Sequence, residues 1–231
     1  PIFTLSNKNM VALNLNLNQD RILLLSGPNA GGKTVVLKSI GLYSLMAQCG
    51  LFIPAEYIKL PLFKIFLSDI GDGQSIENDL STFSAHIKKI SKIIISANQY
   101  SLILLDELGA GTEPSLGSAL SQSILENILK KKSYVISTTH LDTLKIWAST
   151  KAGVINGGMI FNDKILAPTY ELQLNSPNPS YALEISKKMG LPNNIKMSEM
   201  LEWKNFCVLS MGFESFIAFF LLVGARGRLI C

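Results

Sequence analysis

A glycine-rich segment that ends in lysine and threonine is the first part of the sequence able to carry chemistry. Residues 27–34 read Gly-Pro-Asn-Ala-Gly-Gly-Lys-Thr and lie between an apolar run, 21–26, and a run of helical periodicity, 35–48. This order matches G-x-x-x-x-G-K-[ST], in which backbone N–H groups and a helix N-terminus surround phosphate oxygens. In such a loop Lys33 reaches the β- and γ-phosphates and the Thr34 hydroxyl binds Mg²⁺. The segment therefore predicts a phosphate-binding loop rather than an ordinary turn.

Two other predicted strands end in residues that suit phosphoryl transfer. Asp106 and Glu107 follow the apolar run 101–105, and adjacent carboxylates can hold Mg²⁺ and orient an attacking water. His140 ends the run 134–139, where a histidine can contact a γ-phosphate and register its hydrolysis. A single histidine at a strand end is more often structural, but the order of the motifs favours a γ-phosphate sensor.

A Ser-Thr-Phe sequence stands before the helical segment that runs to about residue 97. Ser81 or Thr82 is suited to cap that helix. The pair also follows a polar stretch, at the position where ATPases that sandwich nucleotide between two subunits keep a signature segment. His86, further along the same segment, is interpreted as a helix-surface or packing residue.

Short apolar runs alternate with helical segments along the chain. This alternation predicts βαβ crossovers and a mainly parallel sheet, to which two later strands add in antiparallel fashion. Residues 21–26 have the all-apolar character of a strand buried on both faces, whereas 9–18 alternate as in a half-buried strand. The remaining predicted strands are 64–70, 101–107, 134–140, 153–161 and 165–174, and the predicted helices are 35–48, 83–97, 115–129, 141–149 and 181–189.

Composition places the chain among globular proteins. Its 231 residues are 48% hydrophobic and 16% charged, which suits one α/β domain and excludes a disordered chain. The net charge of +4 permits contact with nucleic acid without indicating it. Cys49, Cys207 and Cys231 lack disulfide-framework or metal-ligand spacing, so we expect a cytoplasmic protein. The chain begins at Pro1 in strand-like sequence, and we expect it to be a fragment of a longer protein.

Four motifs in order resemble the ATPase domain of the MutS family. They are GPNAGGKT, GDGQSIENDLSTFSAH, LILLDELGAGTEP and STTH. The residues at 69–77 and at 178–192 are more similar to the MutS-two, anti-recombination branch than to the mismatch-repair branch. The resemblance covers about residues 11–195, and it implies a MutS-type ATPase domain over 1–198.

The resemblance implies a P-loop NTPase of α/β class, with an ATP-binding-cassette-like, mainly parallel sheet flanked by helices plus antiparallel strands. Two subunits would share composite sites for ATP and Mg²⁺, with Asp106 and Thr34 holding the metal. Lys33 and Glu107 would be catalytic, Glu107 by polarising water. His140 would sense the γ-phosphate, and Ser81 would act across the dimer. The nucleotide would contact Gly27, Pro28, Asn29, Ala30, Gly31, Gly32, Lys33, Thr34 and Val35, with Asn29 near the γ-phosphate.

The resemblance also implies partners. Family members act as dimers on branched or duplex DNA, in repair or in restraint of homologous recombination, and some act on stalled ribosomes. Regions that grip DNA and a small nuclease domain have no counterpart in this sequence, so we expect no DNA cleavage by this chain. Two alternatives remain: a transporter's nucleotide-binding subunit, and a truncated nucleic-acid-binding module without catalysis. Transporter subunits carry a Leu-Ser-Gly-Gly type signature, whereas this chain has Leu-Ser-Thr-Phe at 80–83.

The last segment, 199–231, does not resemble the family. Residues 206–223 are mostly apolar and are followed by Arg226 and Arg228, a length and flank that approach those of a membrane span. Glu214 near the middle of this run is costly in lipid. We therefore favour a packed terminal helix or an aberrant end of the reading frame over a membrane anchor.

Overall fold

The alternating apolar runs form a central sheet with helices packed on both of its faces. A computed structural model of the chain describes residues 10–28, 31–71, 79–162 and 167–175, without the side chains of 79–82. The described residues belong to the first of two compact units, residues 1–181. Their elements are β1 (Ile22–Ser26), α1 (Lys33–Gln48), β2 (Ile65–Asp69), α2 (Asp79–Ser96), β3 (Ser101–Leu105), α3 (Pro114–Lys130), β4 (Tyr134–Thr138), α4 (Asp142–Thr150), β5 (Val154–Asn162) and β6 (Ala167–Leu174).

The sheet has six strands in the order β2-β3-β4-β1-β5-β6. Neighbouring strands from β2 to β5 are parallel, and β6 pairs with β5 in antiparallel orientation. This confirms the predicted α/β class, the mainly parallel sheet and the antiparallel addition. Because the carboxyl ends of parallel strands lie at one edge, the segments after β1, β3 and β4 come together there.

Two apolar clusters, one on each face, account for the burial of the sheet. Ile22 and Leu24 of β1 lie in one cluster and Leu23 and Leu25 in the other, and all four are 0% exposed. The first cluster includes residues of α2, α3 and α4, and the second includes Leu37 of α1. The prediction that the run after residue 20 is buried on both faces is confirmed.

The predicted strand over 9–18 is wrong for the part that the structure describes, residues 10–18, which form no strand. Alternation supplies an apolar face, but a strand also needs a neighbour for its hydrogen bonds, and no described strand pairs with this segment. Leu15 and Leu17 pack partly against the second cluster, whereas Val11 and Leu13 stay exposed.

The predicted helix cap at Ser81 or Thr82 is also wrong. The helix α2 begins at Asp79, so both residues lie inside its first turn. Asn78 and Asp79 are equally good capping residue types, and the sequence did not distinguish between the possible starts. The predicted helix at 181–189 and the tail at 199–231 lie outside the described residues. No described helix is long and apolar enough to cross a membrane.

Candidate active site

The described part of the loop between β1 and α1 has two backbone conformations that favour glycine. Gly27 has φ 132° and Gly32 has φ 94°, values that side chains rarely allow. A Cβ on Gly27 would also lie 3.0 Å from the Cβ of Met159 on β5. Gly31 donates its N–H to the Pro28 carbonyl at 3.1 Å, which closes the described part of the loop. Asn29 and Ala30 lie outside the described residues.

Lys33 is a buried cation at the start of α1. Its side chain turns back over the loop, where Nζ donates to the carbonyls of Gly27 at 2.8 Å and Pro28 at 3.0 Å. Burial lowers the pKa of Lys33 from its ordinary value, against the raising effect of the Glu107 and Asp106 carboxylates. A poorly hydrated ammonium whose described acceptors are neutral carbonyls attracts phosphate oxygens strongly.

Asp106, the residue after β3, is bonded to hydroxyls from two other segments. Thr34 Oγ1 donates to Asp106 Oδ2 at 3.0 Å, and Thr138 Oγ1 donates to Oδ1 at 2.6 Å. Thr34 comes from the first turn of α1 and Thr138 from the end of β4, the strand that lies between β1 and β3. Hydroxyl and carboxylate oxygens thus meet where the carboxyl ends of the three strands converge.

Glu107 has a left-handed backbone, with φ 51°, that separates its side chain from that of Asp106. Its N–H donates to Thr138 Oγ1 at 2.7 Å, and its carbonyl accepts the Ala110 N–H at 3.0 Å. The side chain is exposed, and its carboxylate has no hydrogen-bond partner among the described residues. One carboxylate is therefore fixed by hydroxyls, and the next is directed to solvent.

The turn after Glu107 is pressed against α3. A Cβ on Gly117 of α3 would lie 2.4 Å from the Gly109 carbonyl oxygen, and one on Gly109 would lie 2.4 Å from Ser121 Oγ. The helix is fixed at its start by Glu113, whose side chain accepts the N–H groups of Ser115 and Leu116, each at 3.0 Å. Two glycines thus allow the close approach that sets the path of the turn after Glu107.

Three predicted site residues are not brought into this cluster by any described contact. Val35 is 63% exposed on α1, away from the loop carbonyls that Lys33 contacts. His140 lies exposed two residues beyond β4, without a hydrogen bond to a described residue. Ser81 lies in the first turn of α2, and its side chain is outside the described residues. Their predicted roles stay predictions.

The structure adds three residues that the sequence reasoning missed. Thr138 joins Asp106 to Glu107, although the sequence reasoning gave it no role beyond its place in the STTH motif. Asp69, at the end of β2, accepts the Asp106 N–H on its carbonyl at 2.9 Å. The Tyr170 ring lies beside the loop, since a Cβ on Gly32 would be 3.2 Å from Tyr170 Cδ1. The available signals were the place of Asp69 and Thr138 at strand ends and within segments that resemble the family.

His86 has a specific partner in addition to the surface position predicted for it. Its side chain is 34% exposed, and its Nδ1 lies 2.9 Å from Asp69 Oδ2. The same carboxylate contacts Lys89 through Oδ1, also at 2.9 Å. A buried acid at the end of β2 is therefore paired with two residues of α2.

The residues present fit Mg²⁺ and a nucleotide. Thr34 and Asp106 already bring oxygen ligands within hydrogen-bond distance, and Mg²⁺ is bound through one or two such protein oxygens together with phosphates and waters. Lys33, bonded to two loop carbonyls, can exchange those acceptors for phosphate oxygens. Asp106 and Thr34 would hold the metal, and the loop would hold the phosphates.

Comparison with known proteins places this site in a family. MutS domain V matches residues 23–203 of the chain. Proteins called endonuclease MutS2 are similar: 47% identity over 193 residues for Clostridium botulinum (strain ATCC 19397 / Type A), 48% over 193 for Staphylococcus carnosus, and 49% over 179 for Shouchella clausii. These alignments cover 83%, 83% and 77% of this chain, and 24%, 25% and 23% of those relatives. The chain therefore spans about a quarter of their length. It belongs to the MutS family, on the MutS2 branch.

Proposed function

We propose that the chain is an ATPase domain that binds Mg-ATP and hydrolyses its γ-phosphate. The observation that carries the proposal is the continuous set of hydrogen bonds from Thr34 through Asp106 and Thr138 to Glu107. It connects the helix that follows the phosphate loop with both carboxylates, so the residues for phosphate, metal and water lie at one edge of the sheet. A P-loop NTPase needs this convergence.

Each group has a defined task in this proposal. Lys33 and the loop N–H groups hold the phosphates, and Mg²⁺ bound to Thr34 and Asp106 supplies neutralisation of phosphate charge. Glu107 accepts a hydrogen bond from the attacking water, because its carboxylate is the one directed to solvent. Lys33 then stabilises the negative charge that develops on the phosphate oxygens during transfer, and burial of the ammonium strengthens that interaction.

We further propose that Tyr170 contacts the nucleotide base. Its ring borders Gly32 at the loop, and the residue is 53% exposed, so one side is open to a ligand. Its φ of 62° is unusual for a residue other than glycine and is typical of positions constrained by function. Stacking of a base on an aromatic ring would supply affinity without reading base identity by hydrogen bonds.

The family supports a composite site formed by two subunits. Ser81 lies at the start of α2, which is where a donor from one subunit would reach nucleotide bound by the other. His140, at the end of β4, would sense the γ-phosphate. The partner would be a second copy of the chain, related by a two-fold axis.

For the longer protein we propose a role on DNA. The longer protein would act on branched or duplex DNA, in repair or in restraint of homologous recombination, driven by the ATP cycle described above. The name of the relatives, endonuclease MutS2, agrees with a nucleic-acid partner. Ribosomes are a second proposed partner of the longer protein. The relatives are named endonucleases, and they are about four times as long as the region aligned with this chain. The family match favours this interpretation over a transporter subunit.

The deciding experiment replaces Glu107 with Gln in the 231-residue chain. The variant keeps the size of the side chain but loses the base, so we expect ATP turnover to fall by about 10²–10⁴-fold while nucleotide affinity stays close to that of wild type. Turnover is measured by phosphate release and affinity by a fluorescent nucleotide. Glu56→Gln, at an exposed carboxylate outside the cluster, is the matched control. Unchanged turnover in Glu107→Gln would show that another residue activates the water.

A further inference from the structure

The carboxylate at the end of β2 is buried and has partners from only one helix among the described residues. Asp69 is 5% exposed. Its Oδ2 is 2.9 Å from His86 Nδ1, and its Oδ1 is 2.9 Å from Lys89 Nζ, both from α2. Because a carboxylate only accepts, Nδ1 of His86 carries the proton in this contact. Burial of an acid is costly without such partners, so the three residues define one preferred position of α2.

The backbone of Asp69 makes the opposite connection. Its carbonyl accepts the N–H of Asp106 at 2.9 Å, and Asp69 is the register partner of Leu105 on β3. Asp106 in turn accepts from Thr34 and Thr138. The side chain of Asp69 contacts α2, and its main chain contacts Asp106, the carboxylate proposed to bind the metal. Asp69 therefore connects the helix to that carboxylate.

Apolar packing alone would not fix α2 in this way. Ile90 and Ile93 of α2 are buried in the first cluster and hold the later part of the helix on the sheet. Such contacts tolerate small rotations and shifts, whereas hydrogen bonds and ion pairs are directional. His86 lies between Ser81 and these isoleucines, so its bond restrains the half of the helix that contains Ser81.

We propose that Asp69, His86 and Lys89 are positioning residues that keep Ser81 of α2 in fixed register with Asp106. The inference rests on the proposed function, since it gives Ser81 its role on nucleotide bound by a second copy of the chain. Loss of the cluster should leave the phosphate loop intact and displace the helix. Nucleotide affinity then stays constant while turnover falls.

The test compares His86→Ala, His86→Asn and Asp69→Asn in the 231-residue chain. Asparagine places an amide N–H near the position of His86 Nδ1, so His86→Asn should recover most of the activity that His86→Ala loses. We expect His86→Ala and Asp69→Asn to lower kcat by about 10–100-fold, as for residues that orient a metal site, with the nucleotide Kd changed less than about threefold.

Glu126→Gln is the matched structural control. Glu126 Oε1 accepts from Lys151 Nζ at 3.1 Å and from Trp147 Nε1 at 3.2 Å, so it is also a carboxylate with two partners from other segments. It belongs to α3 and contacts none of the active-site residues named above. We expect a lower Tm for this variant and unchanged kcat. The positioning role would be overturned if His86→Ala also lowered Tm without changing kcat. Equal activities of His86→Asn and His86→Ala would overturn it as well.

Hydrogen exchange without nucleotide separates this inference from the proposed function. In His86→Ala, peptides from residues 79–90 and from 101–110 should exchange faster together, because Asp69 restrains both segments. Glu126→Gln should leave both unchanged. If wild type fails to hydrolyse ATP, the proposed function is wrong, and the exchange result still decides the cluster. Unchanged exchange in both segments of His86→Ala contradicts the inference.

Discussion

Thr138 is the residue that gives the two adjacent carboxylates different surroundings. Its hydroxyl donates to Asp106 Oδ1 at 2.6 Å and accepts the Glu107 N–H at 2.7 Å. The single hydroxyl proton thus goes to Asp106, while the oxygen holds the backbone that directs Glu107 to solvent. In the proposed function, this difference suits Asp106 to the metal and Glu107 to the attacking water.

Replacement of Thr138 by Val tests this arrangement. Valine keeps the shape but removes both hydrogen bonds, leaving the Glu107 N–H without its acceptor at a cost of about 1–3 kcal/mol. We expect a kcat lower by about 10–100-fold and a higher Mg²⁺ concentration for half-maximal activity. The measurement is ATP turnover in a Mg²⁺ titration.

Thr138→Ser is the control for that experiment, because it retains the hydroxyl and removes only a methyl group. It should keep most of the activity and the Mg²⁺ dependence of wild type. Loss of activity in Thr138→Ser equal to that in Thr138→Val would assign the effect to packing rather than to the hydroxyl.

At the scale of elements, the turn after Glu107 depends on its contact with α3. Gly117 and Gly109 approach so closely that a Cβ at either position meets atoms of the other element at 2.4 Å. The carbonyl of Glu107 accepts the Ala110 N–H inside the same turn. A shift of the turn away from α3 therefore moves the backbone of Glu107 as well.

Gly117→Ala should separate the two elements. The added methyl group would lie 2.4 Å from the Gly109 carbonyl oxygen, and such overpacking typically costs about 1–3 kcal/mol of folding free energy. We expect a lower free energy of unfolding in urea together with a reduced kcat. Ser123→Ala, on the exposed face of α3, should change neither. A destabilised Gly117→Ala with full activity would show that the turn does not control Glu107.

Sequence patterns predicted the elements best where burial alone decides the structure. The runs that became β1 and β3 are apolar at nearly every position, and both are fully buried. The segment 10–18 was predicted incorrectly because alternation cannot show whether a neighbouring strand exists. The start of α2 was misplaced because several residues suitable as caps precede it.

The site was predictable where one motif contains all the relevant residues, as for Lys33 and Thr34. Thr138 and Asp69 were missed because their roles depend on strand order. With β4 between β1 and β3, and β2 beside β3, the two residues flank Asp106. The hydrophobic periodicity of the sequence does not reveal the order of the strands in the sheet. The contact of Tyr170 with the loop likewise depends on the antiparallel pairing of β6.

At the scale of the whole molecule, the residues proposed to bind phosphate, metal and water all come from one chain. No described contact joins Ser81, in the first turn of α2, to Thr34 or Asp106. The proposal assigns Ser81 to the site of a second copy of the chain. Two variants, each defective in a different half of the site, can test it.

Lys33→Met and Ser81→Ala should complement each other when mixed. Lys33→Met loses the cation that holds phosphate, and Ser81→Ala loses the donor to the partner's nucleotide, so each homodimer is inactive at both sites. With random exchange of subunits, about half of the dimers contain one copy of each variant, and one of the two sites in such a dimer is intact. About a quarter of wild-type turnover should therefore return. Phosphate release is followed as the ratio of variants changes.

Mixing Lys33→Met with Glu107→Gln is the control, because both residues lie on the same half and no intact site can form. Recovery in that control, or none with Ser81→Ala, would contradict the composite site.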